Sequence, residues 1–418
     1  MNIEVNILGL FKFRKKSGGD FMRTIGTQVR GIRAPIIKEG DDLVGVVVSS
    51  LKKSWQNDNY QLRDKDVVGI TESLLARAQG NYVTVDDIAE EIASKYSGEI
   101  GVVFPILSRN RFSMILKAIA RSMDKVYLQL SYPDDEVGNS LIDVEAMEAQ
   151  GINPHTEIID EEQYRKYFSD FRHPFTGLNY VKYYKEVAKA ADTEIILAND
   201  PCAILDYTEE VLLADVHTRF RNKKIIKNAG AKTVYALDDI CNGEFKNKRN
   251  SGGYNPEYGL LGSNKASDEK LKLFPRDGET FVNQVKEELK NLTGKNVEVM
   301  IYGDGAFKDP VGKIWELADP VVSPAYTSGL EGTPNEVKLK YLADNDLKNL
   351  DDEDLLTAMK KEIKSKEDNL VGKEKAQGTT PRQLTDLLGS LCDLVSGSGD
   401  KGTPIILVQG YFDSLAVD

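Results

Sequence analysis

The sequence predicts an α/β protein of mixed α+β character, and three observations predict it. Short runs rich in Val, Ile and Leu alternate with segments whose apolar residues recur at helical spacing, almost from end to end. The composition is that of a globular chain, 41% hydrophobic and 29% charged over 418 residues, which is enough apolar side chain for two or three domain cores. Finally, Gly-rich or acidic turns follow the apolar runs, as at Tyr302-Gly303-Asp304-Gly305, where α/β proteins gather ligands at strand ends.

The elements follow in order. Residues 66–71 (DVVGIT) read as a buried strand and 85–96 as an amphipathic helix. A strand over 100–106, a helix over 111–123 and a strand over 125–130 come next, then a helix over 180–191 and a strand over 194–198. The alternation continues with a strand over 211–216, a helix over 221–229 and a strand over 233–237. Residues 242–258, rich in Asn, Lys and Gly, read as an exposed loop or a boundary. Beyond it lie a helix over 279–292 and a strand over 297–302. Residues 343–375 are dominated by Asp, Glu and Lys and suggest one or two surface helices. A helix is predicted over 381–395, with Thr380 as its cap and Pro381 where a missing N–H costs nothing, before a closing strand over 404–408.

Charge and cysteine usage exclude several classes. With 54 basic and 66 acidic residues the net charge is −12, the wrong sign for general binding to nucleic acid or anionic membrane. Cys202, Cys241 and Cys392 are scattered, with no CxxC pair, so neither a disulfide framework nor a zinc site is expected. The expected location is the cytoplasm. No apolar run approaches the ~20 residues of a membrane span. The apolar patch at 7–11 precedes its basic residues, the reverse of a secretory signal.

Several patterns can carry chemistry. The loop Ser396-Gly397-Ser398-Gly399-Asp400-Lys401-Gly402-Thr403 lies between a helix and a strand, where glycines let backbone N–H groups converge on an anion. Lys401 adds charge for a phosphate and Asp400 can hold a divalent cation, although the same loop also reads as a flexible connection. Asp304, after an apolar strand, suits Mg or Mn and equally suits an Asp-Gly turn. Ser263-Asn264-Lys265 can touch a nucleotide or simply turn the chain. The acidic run Asp134-Asp135-Glu136 reads first as a solvated turn. In the segment 215–219, which groups Asp215, His217 and Arg219, His217 is a candidate base that reads more readily as structural, while His155 and His173 each adjoin a proline and read as loop residues.

An ordered series of segments then resembles a known family. Ile37-Lys38-Glu39-Gly40-Asp41-Asp42-Leu43 is followed by 66–80 (DVVGITESLLARAQG), by 292–304 (LTGKNVEVMIYGD), and by the Gly-rich loop with 404–410 (PIILVQG). In this order they look like the gamma-glutamyl ligase of the coenzyme F(420) pathway, mostly over 24–84, 255–330 and 379–412. The resemblance implies a gamma-glutamyl-ligase-like core, 1–98 with 251–418, interrupted by an inserted α/β domain at 99–250 and carrying the charged helical excursion at 343–375.

The resemblance also implies addition of L-glutamate to a carboxylate acceptor such as a deazaflavin coenzyme precursor or a folate, GTP or ATP as co-substrate, Mg or Mn, and a homodimer. Carried over by position, nucleotide contacts fall on Ala34, Pro35, Ile36 and Ile37, on Glu72, Ser73, Arg77 and Asn264, and on the loop from Ser396 through Gly397, Ser398, Gly399, Lys401 and Gly402 to Thr403. The family's metal carboxylate falls at Gly303 or Asp304, of which only Asp304 offers a ligand. Its acid in the Gly-rich loop falls on Ser398, for which the nearby Asp400 substitutes, Glu72 stands in for a lost carboxylate, and catalysis falls to Asp304 and Arg77. Three departures stand out: Leu261 replaces a metal-binding Asp of the family, Glu72-Ser73 replaces a Ser-Thr pair, and Arg77 replaces a Lys. The expected reaction is nucleotide-driven amide formation; the alternatives are a ligase for another amine or acid, and a non-catalytic nucleotide or metabolite sensor on the same fold.

Overall fold

Strand pairing divides the molecule between two five-stranded sheets in the computed structural model, which describes residues 25–243, 253–303, 306–308, 315–317, 322–377, 382–397 and 400–416. The chain opens with β1 (Gln28–Ile32), α1 (Leu43–Asn57), β2 (Val67–Thr71), α2 (Glu72–Ala78), β3 (Tyr82–Thr84) and α3 (Val85–Lys95). It continues through β4 (Glu99–Val103), α4 (Phe112–Ser122), β5 (Lys125–Leu130), α5 (Val144–Ala149), α6 (Glu161–Phe168) and α7 (Tyr180–Val187). Then come β6 (Asp192–Leu197), β7 (Glu210–Leu213), α8 (Arg219–Asn228) and β8 (Thr233–Ala236). The last third holds β9 (Asn264–Ser267), β10 (Lys270–Lys272), α9 (Gly278–Thr293), β11 (Glu298–Gly303), β12 (Ala306–Lys308), β13 (Trp315–Leu317) and β14 (Val322–Tyr326). It ends with α10 (Leu339–Tyr341), α11 (Asp352–Lys364), α12 (Leu384–Val395) and β15 (Ile405–Gln409).

The first sheet has the order β1-β15-β2-β11-β14. Only β2 and β11 run parallel, from Val67 opposite Glu298 to Thr71 opposite Tyr302; the other pairs are antiparallel. Both faces of this sheet are covered, which is why β11 and β15 are buried along their whole length. On one face α1 and α9 bring Leu43, Val47, Leu51, Phe281 and Val285 against Val68, Ile70 and Ile301. On the other, α12 sets Leu388 and Cys392 against Met300, Tyr302 and Ile406. The Asp42 carboxylate accepts the Gly45 N–H at 3.1 Å to start α1.

The second sheet, β6-β5-β4-β7-β8, is parallel throughout. Helices α3, α4 and α7 pack on one face, and α8 with the turn Pro201–Asp206 on the other. A capping box between Thr84 and Asp87 starts α3. The small sheet β3-β10-β9 lies in sequence and in space between the two large ones: β10 supplies Leu271 to the core of the second sheet and Lys272 to the edge of the first.

Several boundaries differ from expectation for identifiable reasons. The strand expected over 100–106 ends at Val103, because Phe104 adopts φ 54° and Pro105 has no N–H for the ladder. The helix expected from residue 381 begins at Leu384 after an extended Gln383; the Leu384 N–H is satisfied at 2.9 Å by the Gly332 carbonyl, and Thr380 and Pro381 lie outside the described residues. The charged stretch 343–375 holds one longer helix, α11. Helices α1, α2, α5, α6 and α10 and strands β1, β3, β9, β10, β12, β13 and β14 have no counterpart in the pattern reading. Of the loop at 242–258, residues 244–252 lie outside the described residues. No helix among the described residues is long and apolar enough to cross a membrane.

Gly69 is where α12 closes on the first sheet. A Cβ there would lie 2.5 Å from the Cys392 Sγ. Gly69→Ala is expected to destabilise by about 1–3 kcal/mol through overpacking, and Cys392→Ala in the same chain to recover part of it. Urea unfolding of the two single variants and the double variant measures both.

Candidate active site

One edge of the first sheet gathers segments that are far apart in the chain. The register puts the end of β1 beside the start of β15 (Ile32 opposite Ile405), and Ile405 opposite Ile70 near the end of β2. Thr71 lies opposite Tyr302, and Gly303 opposite Val322. Residues 33–37, Glu72-Ser73, the end of β11 and the loop 396–403 therefore leave the sheet at the same edge. Backbone bonds hold them there: Ala34 N–H to the Gly402 carbonyl at 3.4 Å, and Thr71 N–H to the Pro404 carbonyl at 3.1 Å. The glycine loop is pinched at its root by the bridge between Gly397 and Thr403.

Within this edge the expected residues take different positions. Pro35 and Ile36 are exposed, Ile36 by 81%, an apolar side chain left open beside a polar loop. Asp400, Lys401 and Gly402 are exposed, while the Thr403 hydroxyl is buried with no hydrogen-bond partner among the described residues. The Ser396 hydroxyl donates to the Asp393 carbonyl at 3.0 Å. Burial pushes the neighbouring Tyr302 phenol above its ordinary range, with the Ser396 side chain acting the other way. Arg77 is exposed on the last turn of α2, at the far end of that helix from Glu72. Asp304, Ser398 and Gly399 lie outside the described residues. Gly303, just before Asp304, meets Glu72 so closely that a Cβ would lie 2.6 Å from the Glu72 Cγ.

Glu72 opens α2 directly from the end of β2 and is 6% exposed. Its Oε1 accepts from the Lys272 Nζ at 3.0 Å, and the same ammonium donates to the Ser73 Oγ at 2.5 Å. Lys272 comes from β10, where it pairs with Asn264 of β9. Asn264 Oδ1 in turn accepts from the Arg111 Nε at 3.2 Å. Glu72, Ser73 and Asn264, 192 positions apart at the extremes of the chain segments involved (264 − 72), are thus joined through one lysine. Sequence reasoning missed Lys272; its signal was a lone cation inside the apolar run Leu271-Lys272-Leu273-Phe274.

The donors at this edge are hard oxygens, the kind Mg and Mn take. Glu72 already faces an ammonium, and Asp400 presents an exposed carboxylate to a cation. Among the described residues no group of three or more His, Cys, Asp or Glu side chains is assembled to hold a metal ion.

A model of the family F420-0:gamma-glutamyl ligase matches residues 31–410. The chain belongs to the F420-0:gamma-glutamyl ligase family. The matched span takes in every segment gathered at the sheet edge, and the reaction class it carries is that of a γ-glutamyl ligase. No curated protein matches the chain.

Outside this edge, the ligase has features that the sequence suggested differently. Leu261, expected to stand where the family has a metal-binding Asp, is 6% exposed and lines an apolar cleft. The acidic run after β5 is not a solvated turn. Asp135 accepts the N–H groups of Leu107, Val137 and Asn139 at 2.8–3.0 Å, and Glu136 those of Val216 and His217 at 2.5 and 3.0 Å. Burial raises both pKa values while these N–H bonds act against it. Residues 215–219 do not form one cluster. Asp215 accepts from Thr218 and Asn222, Arg219 pairs with Asp238 at 2.9 Å, and the His217 side chain is exposed.

Lys272→Met leaves the buried Glu72 carboxylate without its ammonium and is expected to cost about 3–5 kcal/mol. Pairing it with Glu72→Gln should restore a large part of the loss. Chemical unfolding of the single and double variants reads the difference.

Proposed function

We propose that this ligase is nucleotide- and divalent-metal-dependent and joins the amine of L-glutamate to the carboxylate of a small-molecule acceptor, such as a deazaflavin coenzyme precursor or a folate. The observation that supports this reading is the convergence of residues 33–37, Glu72-Ser73, the end of β11 and the glycine loop at one sheet edge, in a chain of this family. Amide formation from a carboxylate is uphill in water and needs activation. In the proposed course an acceptor carboxylate oxygen attacks the γ-phosphorus of GTP or ATP, and the bond to the nucleoside diphosphate breaks. The glutamate amine then attacks the acyl carbon; the C–N bond forms, inorganic phosphate leaves with the C–O bond pair, and the amine gives up a proton.

In this reading backbone N–H groups of residues 396–402 and the side chains of Lys401 and Arg77 bind the phosphates, while Pro35, Ile36, Ser73, Asn264 and Thr403 border the nucleotide. Lys272 fixes Glu72 and Ser73 against each other, so the end of β2 presents a set geometry. Mg or Mn, held by Asp304, Asp400 and Glu72, would neutralise phosphate charge.

Phosphate release on mixing the protein with GTP or ATP, Mn or Mg, L-glutamate and a panel of acceptors tests the reading. Release is expected only when glutamate and one acceptor are both present. Asp304→Asn should lower turnover by about a hundredfold or more with the fold intact by circular dichroism; near-wild-type turnover would remove Asp304 from the mechanism. A second reading is favoured by Leu261, which has no metal ligand to offer: a nucleotide sensor that kept the fold. Tight nucleotide binding by calorimetry, with no diphosphate released in any mixture, would establish that reading instead.

A further inference from the structure

The second sheet carries a cleft whose Arg111 donates to Asn264, at the border of the proposed nucleotide site. Strand β4 is its centre. The chain passes from β4 to β5 and β6 on one side, then crosses to β7 and β8 on the other. The connections leaving β4 and β7 thus part in opposite directions, opening a crevice at their C-terminal ends, where open parallel sheets bind ligands. A cleft of about 430 Å³ occupies this place. That is the size of a small-molecule pocket.

Its walls are apolar and aromatic. Ile106 and Phe112 come from the β4 side, Val216 from the β7 side, Leu260 and Leu261 from the chain leading to the small sheet, and Phe274 from the chain leaving it. Phe220 stands at the mouth, 68% exposed, with the Arg219 guanidinium 4.2 Å from its ring centre. In a chain of net charge −12 the basic side chains lining the cleft are Arg111, Arg219 and His217, and among the described residues no Asp or Glu lines it. The Ser263 hydroxyl also lines it. It is 1% exposed and has no hydrogen-bond partner among the described residues, a state that costs about 1–3 kcal/mol unless something supplies the bond. Both connecting loops are held in place from below, Leu107 by Asp135, and Val216 and His217 by Glu136.

We propose that this cleft is a binding site for an aromatic acid, a flat apolar body carrying one carboxylate or phosphate group. The ring lies between Phe220 and the Leu260–Leu261 wall. The anion meets Arg111, and Ser263 donates the bond that its burial leaves open. Ser323 of β14 also lines the cleft, so a bound ligand touches both large sheets. The assignment stands on the cleft's own residues, whatever reaction the edge of the first sheet performs.

Calorimetry on the full chain with 2-naphthoate, 2-naphthyl phosphate and the neutral 2-naphthalenemethanol tests it. At least one anion is expected to bind about tenfold or more tightly than the alcohol, the scale of one charge-assisted bond, and the tighter anion names the group. Arg111→Gln should abolish that preference. Phe220→Ala, at an exposed position where folding is not at stake, should weaken both anions several-fold with the melting temperature unchanged. Equal binding of alcohol and anions, no binding of either anion at millimolar concentration, or unaltered affinity in the folded Phe220→Ala protein would each overturn the proposal.

Discussion

The parallel pairing of β2 with β11 is the constraint on which the rest of the candidate site depends. It joins residues 67–71 to residues 298–302 and sets Thr71 beside Tyr302. Strand β15 then runs antiparallel along the other side of β2, and β1 along β15. Because β2 and β11 end at the same edge, Glu72 and Gly303 meet there. Because β15 starts at that edge, the glycine loop before it arrives at the same place. A one-residue slip of β2 would turn its buried side chains over and pull Glu72 away from Gly303.

Buried polar bonds fix what the sheet brings together. The Lys272 ammonium joins Glu72 to Ser73 from a strand outside the first sheet. At the opposite end of β11, Glu298 takes both Lys286 and the Thr327 hydroxyl. Pairs of this kind contribute little to net stability against apolar replacements, but they punish any arrangement that separates them. They therefore favour a single placement of β10 and α9 against the first sheet.

The second sheet relies on the same device at its own functional end. Asp135 and Glu136, which follow β5, reach the loops after β4 and β7 and accept their backbone N–H groups. A crevice at a strand switch point is held open in this way by carboxylates that themselves stay out of it. Its surface is left apolar and basic, against the acidic balance of the chain as a whole.

What the sequence determined by itself is local. Apolar runs marked the strands of the parallel sheet, where β5 falls at 125–130 as expected, and helical spacing marked α3, α4, α7 and α8, because burial against the sheet leaves apolar residues close together in the chain. The ordered segments also pointed to the ligase family, which the match over 31–410 bears out. Short elements such as β9 and β10 carry too few residues to show a period, and α1 hides its buried stripe among further valines. The tertiary structure alone decided that Lys272 meets Glu72, that Asp135 after β5 is buried, and that Ser263 opens onto a cleft. Each of these depends on pairing between distant segments, and a side chain's partner across 200 positions, as for Lys272 and Glu72, leaves no trace in the residues beside it.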